Sequence, residues 1–124
     1  MKWARQGPLE PGDLALPRTL CRLEDIPDGQ ARGFPLGKRE LPDEIFVFRR
    51  GSRVFGYVNA CPHIGTPLNI IEDKFTTRDR RFLLCQTHGA RFRPEDGFCV
   101  AGPCKGQHLQ GYPVWLESGS VLAD

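Results

Sequence analysis

Two short stretches near the middle of the chain limit what it can fold into. The first reads Cys61-Pro62-His63-Ile64-Gly65-Thr66, and the second reads Cys85-Gln86-Thr87-His88-Gly89-Ala90. Each offers one thiolate and one imidazole, spaced Cys-X-His in the first and Cys-X-X-His in the second. A fold that brings the two hooks together sets two sulfur and two nitrogen ligands around one metal centre. The chain must therefore build a scaffold that presents two loops side by side.

The flanking residues are those of short strands. Ile45 to Arg50 and Arg53 to Val58 are β-branched and aromatic runs joined by Gly51-Ser52, a two-residue hairpin signal. Alternation puts Ile45 and Val47 on one face and Phe46 and Phe48 on the other. The second run leads into Cys61. A further hairpin is expected from Lys74 to Thr77 with Arg81 to Leu84, ending on Cys85. Another is expected from Ala90 to Arg93 with Phe98 to Ala101, turning at Pro94-Glu95-Asp96-Gly97. Short strands are also expected at Arg18 to Leu23, at Gln30 to Leu36, over Gly111 to Glu117 and at the C-terminus. One helical turn is expected near Leu68 to Asp73. The expectation is an all-β chain of small antiparallel sheets, with Met1 to Pro17 as a tail, residues 18–124 as the domain, and the metal loops within about residues 59–106 at one tip.

Length and composition narrow the classes. The 124 residues suffice for one domain. The 14 glycines and 11 prolines agree with short strands and frequent turns. A net charge of +2 from scattered basic residues argues against a nucleic-acid partner. No apolar run approaches the roughly 20 residues that span a bilayer. Residues 1–13 lack the apolar middle of a secretion signal, so the expected location is cytoplasmic. In that compartment the five cysteines are expected to be reduced or metal-bound.

Loop-borne Cys/His pairs suit tetrahedral zinc or an iron–sulfur cluster of mixed ligation. Zinc fingers commonly pair like ligands and place one pair on a helix, whereas each hook here mixes types and no helix carries them. In the mixed cluster, two ferric ions, two sulfides and two thiolates sum to zero charge when both imidazoles are neutral. Adding an electron to a neutral centre costs less than adding one to an anion. The histidines therefore raise the potential to roughly −150 to +300 mV, against about −400 mV for all-cysteine plant-type ferredoxins.

With these residues laid out, the sequence resembles the Rieske family over about residues 20–122. The resemblance rests on Cys61-Pro62-His63-Ile64-Gly65-Thr66-Pro67-Leu68, on Cys85-Gln86-Thr87-His88-Gly89-Ala90-Arg91-Phe92, and on Gly97 and Gly102-Pro103. Leu109, Tyr112 and Val114 fit the family's closing strand. The resemblance implies one [2Fe-2S] cluster per chain, with Cys61 and Cys85 on one iron and His63 and His88 on the other. It implies the Rieske fold, with Gly65 and Gly89 letting backbone approach the cluster and Gly102-Pro103 forming a covering loop.

What is missing makes the chain resemble one branch of that family. Respiratory-type members carry an extra cysteine in each loop, joined as a disulfide; Thr66 and Thr87 stand at those positions. Where such members use a serine and a tyrosine hydroxyl as hydrogen-bond donors, this chain has Ala90 and Phe92. The reading is a low-potential carrier of the soluble ferredoxin branch. A Rieske oxygenase needs a second iron held by two histidines and a carboxylate. After His63 and His88 are used, only His108 is left, so no substrate-oxidising site is expected in this chain. The expected partners are a flavin-dependent reductase and an oxygenase or other redox acceptor. Alternatives are the small Rieske subunit of a larger oxidoreductase, such as a nitrite reductase, and a non-catalytic redox-sensing module.

The interval between His63 and Cys85 is long, and its surplus, residues 71–81, reads as a charged surface turn. Cys99 and Cys104 flank the covering loop and read as packed, reduced thiols. His108 and the arginines at 49, 50, 53, 78, 80 and 81 read as exposed. Phe46, Phe48, Phe55, Tyr57 and Phe92 read as core.

Overall fold

A computed structural model describes residues 17–37, 43–62 and 65–124. The proposed tail (all but Pro17), Trp3 within it, and His63 lie outside the described residues. Nine strands follow in order: β1 (Arg18–Arg22), β2 (Ala31–Pro35), β3 (Glu44–Arg50), β4 (Arg53–Val58), β5 (Leu83–Leu84), β6 (Arg91–Phe92), β7 (Cys99–Ala101), β8 (Val114–Glu117) and β9 (Ser120–Ala123). They form three antiparallel three-stranded sheets, ordered β1-β9-β8, β2-β3-β4 and β5-β6-β7. The described helical structure is one 3-10 turn, Leu23–Asp25. Among the described residues no helix is long and apolar enough to cross a membrane.

The β3–β4 hairpin turns at Gly51-Ser52, with Arg50 opposite Arg53 and Ile45 opposite Val58. Its first strand divides the molecule. Ile45, Phe46, Val47 and Phe48 are all fully buried, which an alternating strand achieves only when both faces are covered. Ile45 and Val47 enter a core with Ile26, Phe34, Val121 and Ala123, beneath the β1-β9-β8 sheet. Phe46 and Phe48 enter a second core with Phe75, Leu83, Phe92 and Leu109. That second core also takes in Cys61, Cys85, Cys99 and Cys104.

Residues 71–81 do more than turn at the surface. Their charged side chains are exposed, but Phe75 is buried and stacks on Phe46, with ring centroids 4.5 Å apart and planes 17° from parallel. Burying such a ring contributes about 1.5–3 kcal/mol, enough to fix the segment. The Phe75 carbonyl also accepts Leu84 N–H at 2.7 Å, one residue before Cys85. The expected hairpin here is reduced to the bridge Thr76–Leu83 and the turn closed by Thr77 and Phe82.

The turn expected near Leu68 to Asp73 is confined to its end, where Lys74 N–H donates to Ile71 O (3.1 Å); before that, side chains take the amides. Leu68 N–H donates to Asn59 Oδ1 (2.8 Å), and Ile70 and Ile71 N–H donate to Gln86 Oε1 (2.7 and 3.3 Å). Amides spent this way cannot reach carbonyls four residues back.

The Pro94–Gly97 turn is pinned from within the second core. The buried Tyr57 hydroxyl donates to Pro94 O at 2.6 Å, and burial raises its pKa. Tyr57→Phe removes that donor and leaves a buried carbonyl short of a partner. We expect a loss of about 1.5 kcal/mol in urea unfolding; an unchanged midpoint would show that water or another donor replaces it.

Candidate metal centre

The two hooks are held in the same backbone frame. In the first, Cys61 O accepts Gly65 N–H (2.7 Å) and Cys61 N–H donates to Thr66 O (2.7 Å). In the second, Cys85 O accepts Gly89 N–H (2.8 Å) and Cys85 N–H donates to Ala90 O (2.8 Å). Each loop thus closes on the residues four and five beyond its cysteine. The glycine at the fourth position takes the left-handed conformation in both, with φ of +80° at Gly65 and +75° at Gly89. A side chain is disfavoured there. The unlike sequence spacings Cys-X-His and Cys-X-X-His therefore belong to loops closed in the same way.

Neighbouring elements position each loop. Strand β4 runs into Asn59, whose buried side chain donates to Glu44 Oε1 (2.6 Å) and Asn69 Oδ1 (2.9 Å). Strand β5 delivers Cys85. Gln86 then joins the loops, its N–H donating to Leu68 O (2.8 Å) while its side chain accepts Ile70 and Ile71 N–H. This link was not foreseen from the sequence, although a glutamine next to Cys85 was visible. It also holds Ile70 and Ile71 out to solvent, 72 % and 60 % exposed.

The third loop covers the second. Gly102 (φ +100°) lies so near Ala90 that an added Cβ would stand 2.6 Å from Ala90 Cα. Cys104, at the far end of this loop, donates its thiol to Cys99 Sγ at 3.2 Å. Burial, then the Cys99 and Cys61 sulfurs, pushes the Cys104 thiol up to about 12. Cys99 and Cys104 are buried and carry no disulfide.

Of the four expected ligands, the structure places three. Cys61 and Cys85 are fully buried in one core, and His88 is exposed. Among the described residues no group of three His, Cys, Asp or Glu side chains is gathered into a metal-binding set. The donor chemistry nevertheless fits a cluster of mixed ligation: two buried sulfurs at the feet of matched loops and a histidine at the surface. An added Cβ at Gly65 or Gly89 would meet no atom within 4 Å, so both loops border open space. Ala90 and Phe92 are fully buried and offer no side-chain donor to the site. His108 is exposed and sits edge-on to Phe98, away from the hooks in sequence and contact.

An all-β scaffold with two matched, cysteine-bearing loops is the kind of frame that presents metal ligands. The match to the Rieske [2Fe-2S] domain spans residues 17–114, and the chain belongs to that family. Its cofactor is a [2Fe-2S] cluster. The fold is similar to that of the ferredoxin of carbazole 1,9a-dioxygenase from Nocardioides aromaticivorans IC177, with TM-score 0.68 and 23% identity over 88% of this chain and 97% of that one. The Sphingomonas yanoikuyae B1 ferredoxin gives TM-score 0.64 and 26% identity over 88% and 98%. A structure described as the complex of reduced oxygenase and oxidized ferredoxin in carbazole 1,9a-dioxygenase gives TM-score 0.68 and 22% identity over 86% and 91%. No curated protein matches the sequence.

Proposed function

We propose that this protein is a one-electron carrier of the cytosol whose cluster is held by Cys61 and Cys85 on one iron and by His63 and His88 on the other. The observation that carries the reading is the difference in depth between the ligand types. The cysteines are fully buried in the core while His88 reaches the surface. An iron held by His88 would then lie nearer solvent than one held by the cysteines, where a partner could take or give an electron. The cluster supplies reversible one-electron chemistry; the protein sets its depth, its exclusion from water and its potential.

The partners that fit are a flavin-dependent reductase as donor and an oxygenase or similar protein as acceptor. The support is the likeness to ferredoxins, one of them solved together with an oxygenase. Ile70 and Ile71, held out by Gln86 on the ligand loop's own frame, give such a partner an apolar foothold.

The test is spectroscopy with metal analysis on purified protein. A coloured protein with iron and sulfide in equal amounts, and a Rieske-type electron paramagnetic resonance signal on reduction, is expected; colourless, zinc-loaded protein would overturn the reading. Because Ala90 and Phe92 offer no hydroxyl donors, an anaerobic titration should give a midpoint in the lower part of the roughly −150 to +300 mV range. A midpoint well above about 0 mV would contradict that assignment.

A further inference from the structure

The segment between the two hooks also walls a cleft of about 400 Å³, into which Lys74, Arg78 and Arg80 converge with Gln30, Thr76 and Gln86. That volume lies in the roughly 300–1,000 Å³ range of small-molecule sites, but such sites are mostly apolar. None of the described residues lining this one is apolar. Three cations stand there against a single carboxylate, that of Asp73.

The nearby acids do not neutralise those cations. Asp73 Oδ1 accepts Gly33 N–H (2.9 Å). Asp79 Oδ1 accepts the Thr77 hydroxyl (2.6 Å) and Arg81 N–H (3.1 Å). Among the described residues Lys74, Arg78 and Arg80 form no ion pair. Arg80 is also fixed in direction. Its φ is +62°, uncommon for a residue with a side chain. Its stem lies against Gly29, where an added Cβ would be 3.3 Å from Arg80 Cδ.

Gln86 supplies a further donor. Its Oε1 accepts Ile70 and Ile71 N–H, which settles the orientation of the side-chain amide. The NH2 group, able only to donate, has no acceptor among the described residues and belongs to a side chain that lines the cleft. Ammonium, guanidinium and amide groups thus offer donors to one space with little to accept them.

We propose that this cleft binds a small molecule through linked phosphate groups, held by Lys74, Arg78, Arg80 and the Gln86 amide. Guanidinium forks match phosphate oxygens in pairs, and a lysine adds a point charge. The volume exceeds what one phosphate fills, and no aromatic wall is present to stack a base, so the phosphates themselves carry the recognition. The ligand would touch the residue that follows Cys85, but the inference does not depend on which metal the hooks hold.

The experiment is calorimetric titration of the purified holoprotein with inorganic pyrophosphate at low ionic strength, where exposed charges are least screened. Orthophosphate and a short polyglutamate peptide serve as comparison arms. Saturable binding at one site per chain is expected, tighter for pyrophosphate than for either comparison. Lys74→Gln and Arg80→Gln should each weaken it roughly tenfold, the loss of a charge-assisted bond. Arg18→Gln removes the same charge from strand β1, on the other core, and should leave the affinity unchanged. Gln86→Glu keeps an oxygen for the Ile70 and Ile71 amides but replaces the donor with a negative oxygen, and should abolish binding. If that variant does not fold, the Lys74 and Arg80 variants decide. The absence of saturable binding, an equal loss in Arg18→Gln, or tighter binding of polyglutamate would each overturn the proposal; the last would make the cleft a seat for an acidic protein segment.

Discussion

Cys85→Ala is expected to yield a colourless protein with no bound iron or sulfide. Cys85 is fully buried, and its backbone makes both bonds of the loop frame, to Gly89 N–H and to Ala90 O. The substitution leaves those bonds intact and removes only the sulfur, so the loop keeps its shape while the site loses a proposed ligand. Neither water nor a buried neighbour can take the place of a thiolate at this depth. The paired control is Cys21→Ala, in strand β1, packed on the other core. It should keep its full iron, sulfide and colour. Iron and sulfide assays with a visible spectrum read both variants. Full cluster content in Cys85→Ala would remove it from the ligand set and with it the proposed assignment.

Gly102→Ala should be the most destabilising single-methyl change in the cluster-binding region. Two costs add. The residue adopts φ of +100°, outside the conformations that a residue with a Cβ takes without strain. The new methyl would also stand 2.6 Å from Ala90 Cα, a backbone atom that cannot turn away as a side-chain tip could. Relief requires the third loop to lift from the second. Together these cost about 3 kcal/mol or more, a fall in melting temperature on the order of 10 °C. A lifted loop also uncovers Cys104 and opens the site to water, so the cluster should be lost faster in air than from wild type. Thermal unfolding, followed with and without the cluster, measures both effects. A variant within about 0.5 kcal/mol of wild type would show that the loops have more freedom than their contact suggests.

What the sequence by itself determined is local. The cysteines and histidines are there in their spacing, with a glycine four residues after each cysteine. The β3–β4 hairpin is written in two β-branched and aromatic runs around Gly51-Ser52, and the alternation of Ile45, Phe46, Val47 and Phe48 gave the two faces correctly. These signals depend on residues within a few positions of one another, where turn chemistry and side-chain period act directly.

The tertiary structure alone decided what lies across the chain. Strand β1 pairs with β9, so Arg18 faces Ala123, with a register shift between Thr19 and Cys21. No local pattern announces such a pairing; it forms because Ile45 and Val47 need a cover for their face of β3. In the same way Phe75, in a run that reads as charged surface, is buried because Phe46 on the other face needs a partner. Gln86 binds the amides of Ile70 and Ile71 in place of a helical turn. Gly102 packs on Ala90, and Cys104 meets Cys99 at 3.2 Å, only because the third loop folds back over the second. Burial of both faces of one strand, a long-range requirement, set the surroundings of the proposed ligands that the sequence already displayed.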